Sequence, residues 1–509
     1  MPAQHHRRTA AVGLAVAALA AGALTTSPSA TAAPTESPIR LMAPDSITVR
    51  SHDGYVYSDF GLEMAAQNQD FEIRANRASY DDPIVAVWKS AGGDVPIEGE
   101  GTTMSSWQGL DGFLKVVVRK VGRKRPVSTQ DGMTGCFNSW SSRAVAPDHA
   151  SGNDYPWNCP YNPYTQGSVM GIAKGFAVSA LGDYGYYASK MKPGDYRVKA
   201  TIAPAWQEFF GISAEDATSV TAVRVRKGRD GWRPAQRTAP DTASGQQLEE
   251  NPGAPAQESA GALANEFAPD LEALPAFGIG MNRKGTAVRF GANVWNGGNG
   301  PLVVEGFEPD TAAARAKHEG EEHLDAYQYY FDGNGEITGH DLVGEFTFHE
   351  GNHNHWHYED FAAYTLLNED MTEAVRSSKV SFCLANTDAI DYTIEHADWR
   401  PENTDLSSDC GGRGATYLRE VLSAGSGDTY YQYRTGQAFR VGNLPDGDYW
   451  ISVEANPFGR LQELDTENNQ SLRKITLSTN KRGIRKVTAE QVGVIQEDWG
   501  YYRSMRNAG

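Results

Sequence analysis

The sequence predicts an all-β protein made of two β-sandwich-like domains with few helices. Three observations support this fold class: short runs of alternating or β-branched residues recur along the chain, Gly, Pro, Asn and Asp separate these runs, and helical periodicity is rare. The best helical candidate is the segment of residues 311–323. The length of 509 residues is sufficient for two or three domains with their own hydrophobic cores.

The first 32 residues have the features of a bacterial-type signal peptide. Basic residues at positions 5–8 precede an apolar stretch over residues 10–24, and the Ala-Thr-Ala sequence at 30–32 provides the small side chains that signal peptidase accepts. The apolar stretch is shorter than the roughly 20 residues of a transmembrane helix, and no later segment is long enough to span a bilayer. We therefore expect a secreted, extracellular protein without a membrane span, beginning near Ala33.

Changes in composition divide the remainder of the chain. Residues 33–228 contain the alternating runs of an all-β domain, whose role the sequence leaves open. Residues 229–265 are rich in Pro, Ala and Gln and poor in apolar side chains, so we expect a disordered linker. A second β-rich domain is predicted over residues 266–477, where apolar runs flank short turns that contain Gly. Residues 478–509 are expected to form a peripheral C-terminal arm.

The net charge argues against a nucleic-acid-binding protein, and the cysteines argue for disulfides and against a CxxC zinc site. A formal net charge of −18 repels phosphate groups, so we do not expect a nucleic-acid partner. Four cysteines in an exported chain can form two disulfides, and three pairings are possible. The simplest pairing is local and joins Cys136 to Cys159 and Cys383 to Cys410. No two cysteines have the CxxC spacing of a zinc site.

Four histidines lie within nine residues, at His349, His353, His355 and His357. Side chains alternate between the two faces of a strand, so the last three project from the same face. Three imidazoles are suitable ligands for copper, zinc or nickel. Because residues i and i+4 of a straight strand lie about 13 Å apart, the segment must curl if all three are to bind one ion.

The residues that follow these histidines resemble the catalytic domain of the lysyl oxidase family. The HxHxH run is followed by Phe361, Tyr364 and a leucine pair at 366–367, as in the copper-binding signature of that family. The segment Lys-Val-Ser-Phe-Cys-Leu, which begins at Lys379, is similar to the family segment with the lysine of its quinone cofactor. The tripeptide Asp-Thr-Tyr that ends at Tyr430 is similar to the segment with the partner tyrosine.

This resemblance, over residues 266–477, implies a copper site and a quinone built from two side chains. The implied copper ligands are His353, His355 and His357. The implied quinone is lysine tyrosylquinone (LTQ), formed by Lys379 and Tyr430. The implied enzyme is a copper-dependent protein-lysine 6-oxidase or primary amine oxidase. It would use O2 to convert lysyl side chains of peptides and proteins, or other primary amines, to aldehydes with release of H2O2 and ammonia.

The resemblance also implies a calcium site in the same domain. Its donors would be oxygen atoms, the ligands that Ca2+ prefers, and three of them are carboxylates. The implied ligands are Asp270, Leu271 through its carbonyl, Glu463, Asp465, Asn468 and Asn469. Alternatively, the acidic segment at 463–469 simply ends a strand.

Several assignments remain open at this level. Tyr431 and Tyr433 are rivals of Tyr430, and His349 is either a fourth ligand or a neighbour of the metal site. Ala363 replaces a histidine of the family pattern, which leaves Glu359 or Asp360 as the catalytic base. Two other functions remain as well: a non-catalytic metal-binding adhesion protein, and a zinc hydrolase.

Overall fold

The computed structural model describes residues 36–182, 187–228, 251–256, 258–264, 266–309, 323–349, 354–400, 406–495 and 497. Within these ranges there are 32 strands and one helix, so the all-β prediction is confirmed. The predicted signal peptide, His353 and residues 311–322 of the predicted helix lie outside the described residues. The last residue of that predicted helix, His323, begins a strand.

The described part of the N-terminal half has fifteen strands and a short helix α1, Pro204–Phe210. The strands are β1 Ile39–Met42, β2 Ser46–Ser51, β3 Tyr55–Ser58, β4 Glu63–Ala66, β5 Phe71–Asn76, β6 Val85–Ser90, β7 Gly93–Pro96, β8 Leu110–Lys120, β9 Ser128–Gly135, β10 Ser142–Ala144, β11 Gly167–Ile172, β12 Phe176–Ser179, β13 Tyr187–Lys190, β14 Gly194–Ile202 and β15 Thr218–Lys227.

These strands form sheets in the orders β1-β4-β12-β10, β11-β5-β6-β7, β13-β3 and β2-β15-β14-β8-β9. Alternation of apolar and polar residues in β14 and β15 places one face of the last sheet on the core. Helix α1 begins at a proline, which is favourable in the first turn, and ends at Gly211 with a left-handed φ of 68°. It buries Trp206 and Phe210 against this core.

In the described residues of the C-terminal half there are seventeen strands. They are β16 Leu271–Ala273, β17 Phe277–Met281, β18 Ala287–Asn296, β19 Leu302–Phe307, β20 His323–Phe331, β21 Ile337–His349, β22 His355–Glu359, β23 Ala362–Leu367, β24 Glu373–Arg376, β25 Ser381–Phe382, β26 Asp388–Ala389, β27 Tyr417–Leu422, β28 Ser426–Tyr430, β29 Ala438–Arg440, β30 Gly447–Ala455, β31 Gln470–Thr479 and β32 Arg485–Ala489.

Three sheets surround the core of this half. Their orders are β16-β18-β28-β26, with β17 and β29 also paired to β18, then β25-β22-β21-β20-β19-β27, and β24-β23-β30-β31-β32. The inward faces contribute a shared aromatic core in which the rings of Phe290 and Phe439 stack at 4.6 Å and Tyr364 packs edge-on against Phe290. Strand β32, within the predicted arm 478–509, pairs with β31.

Both local disulfides of the sequence analysis are present. Cys136 is bonded to Cys159 and Cys383 to Cys410, with Cα–Cα distances of 6.1 and 5.9 Å. The second bond ties the loop after β25 to the segment before β27. It therefore restrains the chain next to Lys379.

The two halves contact each other near β26 and β28. Gly167 forms a bridge with Asp391, and Asn162 donates a hydrogen bond of 3.3 Å to the Thr429 hydroxyl in β28. The described residues belong to one compact unit. The boundaries proposed for the two domains and the linker stay predictions. Of the described part of the chain, no helix is long and apolar enough to cross a membrane.

Candidate active site

Strands β21 and β22 form an antiparallel hairpin that brings histidines together. The register pairs His349 with His355 and Thr347 with His357, so these side chains share one face. The ring centroids of His349 and His357 lie 4.3 Å apart, and those of His355 and His357 lie 4.8 Å apart. Phe348 and Trp356, at the intervening positions, pack edge-on against each other.

His349 lies on the strand opposite His355 and His357, so its ring is closer to them than the rings of residues i and i+4 on one straight strand would be. A cross-strand neighbour in a sheet is about 5 Å away, whereas i and i+4 on one strand are about 13 Å apart. The sequence-predicted ligand His353 lies outside the described residues. The rings of His349 and His355 each lie within 5 Å of the His357 ring, and imidazole nitrogens are donors that fit copper or zinc.

Polar side chains orient two of these rings. The Ser381 hydroxyl lies 3.2 Å from Nδ1 of His357 and 3.0 Å from Nε2 of His349. Glu359 shares the face, with Oε1 3.7 Å from His349 Nε2, and accepts a hydrogen bond from the Thr347 hydroxyl. Such hydrogen bonds fix the orientation of an imidazole ring.

Lys379 and Tyr430 are in contact, although they are far apart in the sequence. The Lys379 Nζ atom lies 4.2 Å from the ring centroid of Tyr430 and 4.7 Å from that of Phe382. Lys379 precedes β25, which pairs with β22 through Ser381 and Glu359, and Tyr430 ends β28. The same local structure therefore positions the lysine and the histidines.

The Tyr430 hydroxyl is fixed by the backbone of one residue. It donates to the Cys383 carbonyl at 3.0 Å and accepts from the Cys383 N–H at 3.1 Å. Of the rival tyrosines, Tyr433 is 43% exposed and stacks on Tyr431, which packs edge-on against Phe277. Among these three rings, the Lys379 amine lies over that of Tyr430.

Burial changes the acidity of both groups. Lys379 is 8% exposed, and loss of hydration lowers its pKa to about 8, although the nearby Asp428 opposes this shift. Burial likewise raises the pKa of Tyr430 well above the usual value for a phenol, and the carboxyl groups of Asp428 and Glu420 add to the increase. The site therefore places an amine that loses its proton at about pH 8 beside a phenol that keeps its proton.

Two buried acids adjoin this pair, and burial raises the pKa of both well above the ordinary range. Glu420 Oε2 accepts a hydrogen bond from the Leu384 N–H at 2.8 Å, whereas Glu420 Oε1 and Asp428 Oδ2 are buried without a hydrogen-bond partner. No motif in the sequence assigns a role to Glu420. A signal was available, because Glu420 alternates with Leu418 and Leu422 on the inward face of β27.

The two carboxylates proposed as base occupy different surroundings. Glu359 faces the histidines, as described above. Asp360 has a left-handed φ of 64°, and its carboxylate pairs with Arg460 at 3.0 Å. Only Glu359 of the two shares the face of the imidazole cluster.

The proposed calcium ligands lie close together around the starts of β16 and β31. Asn468 donates to Asp270 at 3.1 Å, and Glu463 accepts hydrogen bonds from the Leu271 N–H and the Asn469 amide, both at 2.9 Å. The amide oxygens of Asn468 and Asn469 are buried without a hydrogen-bond partner. Burial raises the pKa of Asp270 and Glu463, and Asp465 contributes to the shift of Asp270.

Free oxygen atoms of this kind fit a hard cation, which would offset the repulsion between the carboxylates. A different group, formed by Cys383, Cys410 and Glu420, also has close potential ligand atoms. Its two sulfur atoms are bonded to each other, so they cannot act as thiolate ligands.

Comparison with known proteins identifies the class of this domain. Residues 328–486 match the family model for lysyl oxidase. The match extends from β20 to β32 and includes His355, His357, Lys379 and Tyr430. No curated protein matches the chain. The similarity to the lysyl oxidase domain therefore covers residues 328–486, in the C-terminal half of the chain.

Proposed function

We propose that this protein is a secreted amine oxidase that depends on copper and on a quinone formed from Lys379 and Tyr430. A lysyl oxidase domain indicates amine oxidase chemistry in general. The observation that carries the more specific proposal is the distance of 4.2 Å between the Lys379 amine and the Tyr430 ring centroid. A single cross-link between these side chains requires such proximity.

The copper ligands in this proposal are His353, His355 and His357. Support comes from the close approach of the last two rings, with His349 opposite them as a further nitrogen donor. Bound copper with O2 would supply the oxidation of the Tyr430 ring, and the resulting LTQ would be the electrophile and electron acceptor for the amine substrate.

The side chains of the site have separate tasks in this scheme. Lys379 supplies a nucleophilic nitrogen, because burial beside Phe382 keeps a part of its amine population neutral. The Cys383 backbone holds the Tyr430 hydroxyl and so fixes the ring plane. Glu359, which shares the face of the histidines, is the candidate to accept a proton from the substrate.

The proposed substrates are primary amines, including lysyl side chains of peptides or proteins. They are cationic in water, and the acidic chain attracts cations. We further propose that Ca2+ binds Asp270, Leu271, Glu463, Asp465, Asn468 and Asn469. The unpartnered amide oxygens of Asn468 and Asn469 support that site.

The test is oxidation of a lysine-containing peptide by copper-loaded protein. We expect release of H2O2 and a positive quinone stain from the unaltered protein. Lys379→Ala should lose both signals and still bind copper, whereas Lys481→Ala, at an exposed turn lysine, should retain both. Turnover by Lys379→Ala would contradict the proposed cofactor. Copper binding without turnover in the unaltered protein would favour the non-catalytic adhesion alternative.

A further inference from the structure

A cavity of about 290 Å³ lies in the N-terminal half, and its walls include neither Lys379 nor Tyr430. Three chain segments form it: residues 77–84, residues 104–108 and residues 160–163, with Val494 closing one side. Its volume is near the lower end of the range for small-molecule sites. Nothing in the amine oxidase scheme uses this cavity.

Arg77 lines the cavity and is 7% exposed. Its guanidinium lies 4.9 Å from the Tyr80 ring centroid and 5.6 Å from that of Trp107. Its one hydrogen bond to a described side chain or backbone group runs from Nη2 to the Pro163 carbonyl, at 2.9 Å. The Nε atom is buried without a hydrogen-bond partner.

No carboxylate in the described ranges pairs with Arg77, and burial lowers its pKa. A buried charge without a counterion is costly unless another group compensates it. The two aromatic rings compensate a part of that cost, but they leave most of the N–H groups of the guanidinium unused. These free donors and their fork geometry suit a carboxylate oxygen pair.

The remaining walls limit the kind of anion. Ile84, Met104 and Trp107 give the cavity an apolar surface, and Asn162 also lines it, although its amide is engaged by Thr429 and the Tyr164 N–H. Asp82, exposed at the cavity, carries a carboxylate that accepts a hydrogen bond from Ser79 at 2.7 Å. Its charge opposes a dianion such as phosphate more strongly than a monoanion.

We propose that this cavity binds a small organic monocarboxylate, with the carboxylate on Arg77 and an apolar body against Trp107 and Ile84. The carboxylate of the ligand would be the counterion of Arg77, which pairs with no carboxylate of the described residues. Asn162 lies in the cavity wall and also donates to Thr429, so the site adjoins the strand that contains Tyr430.

The test uses the full chain and a set of matched probes: benzoate, phenylacetate and hexanoate, each beside its neutral amide, with inorganic phosphate as a dianion. Titration calorimetry should detect at least one carboxylate, bound ~10-fold or more tightly than its amide, because only the acid pairs with the guanidinium. Arg77→Gln should abolish this preference.

Because Arg77→Gln removes a buried side chain and can impair folding, a second pair of variants acts at the half-buried Ile84. Ile84→Asp should weaken carboxylate binding several-fold relative to Ile84→Asn, since the two differ in charge and hardly in shape. Equal binding of acid and amide, binding of phosphate in preference to every carboxylate, or no binding of any probe at millimolar concentration would each overturn the proposal.

Discussion

At the scale of single residues, the protonation state of Lys379 controls the proposed cross-link. Burial lowers its pKa to about 8, so the neutral, nucleophilic amine becomes the main form only above that pH. When copper is added to metal-free protein, the rate of quinone appearance should therefore increase as the pH rises through about 8 and then level off. Absorbance of the quinone measures this rate, and a rate that does not change over this interval would contradict the proposed role of the amine.

The three neighbouring tyrosines provide a second prediction at this scale. Tyr430→Phe should abolish quinone staining and H2O2 release, because its ring is the one beneath the Lys379 amine. Tyr433→Phe, at an exposed side chain, should keep both signals within about two-fold of the unaltered protein. Staining in Tyr430→Phe, or its loss in Tyr433→Phe, would move the cofactor to another ring.

Much of the site could be predicted from single residues, whereas its cross-strand partners could not. The motifs around Lys379 and Tyr430 identify both side chains without a structure. The position of His349 opposite His355 depends on the register of β21 and β22, which the alternation of side chains along each strand does not set by itself. The pattern of β27 predicts that Glu420 faces inward, but it does not predict that Glu420 lies near Lys379, because the two residues are distant in sequence.

At the scale of structural elements, the loop between β28 and β29 packs closely against Lys379. Gly436 has a left-handed φ of 86°, and a Cβ atom built there would lie 2.8 Å from Lys379 Cβ. The Ser377 hydroxyl donates to the Gly436 carbonyl, which holds this loop to the segment before β25. A side chain at position 436 would displace the segment that presents the lysine.

We expect Gly436→Ala to lower the free energy of unfolding by about 1–3 kcal/mol and to reduce the quinone yield. The matched control is Gly483→Ala, at a turn glycine with a φ of 74° and open space around its Cβ position. Both variants strain the backbone, but only the first meets Lys379. Urea unfolding and quinone staining measure the two effects, and equal quinone yields in the two variants would contradict this packing argument.

The type of the structural elements could be predicted from the sequence, whereas their arrangement in sheets could not. Alternating patterns and Gly-containing turns identify an all-β chain, and local cysteine pairs identify both disulfides. The order of strands within the sheets was beyond reach, since neighbours such as β18 and β28 are joined by long-range contacts that no local pattern encodes.

At the scale of the whole molecule, the proposed calcium site connects segments that are far apart in the chain. Asp270 precedes β16, whereas Glu463 and Asn468 lie between β30 and β31. Ca2+ should therefore raise the melting temperature of the protein, because it binds only when these segments are together. Differential scanning calorimetry with Ca2+ and with a chelator measures the shift.

The control for that prediction is Asp270→Asn, which removes one of the carboxylates and keeps a side chain of similar shape. It should lose most of the shift produced by Ca2+. Mg2+ should produce a smaller shift, because it prefers a regular octahedron of ligands with several waters. An unchanged melting temperature after Ca2+ addition to unaltered protein would contradict the proposed site.

For the N-terminal half, the sequence predicts an all-β domain but neither its role nor its contacts with the C-terminal half. Its packing against β26 and β28, through Asn162, Thr165 and Gly167, depends on surfaces that the sequence does not mark. Arg473 in β31 extends this contact with a hydrogen bond of 3.2 Å to the Tyr164 hydroxyl. The fold thus surrounds the strand that contains Tyr430 with residues from both halves.

The central claim is that two distant side chains, Lys379 and Tyr430, become one cofactor in copper-loaded protein. Peptide mapping by mass spectrometry after proteolysis tests it most directly. We predict a single cross-linked species that contains both residues, absent from metal-free protein and from Lys379→Ala. Recovery of the two unmodified peptides in full yield from copper-loaded protein would contradict the account.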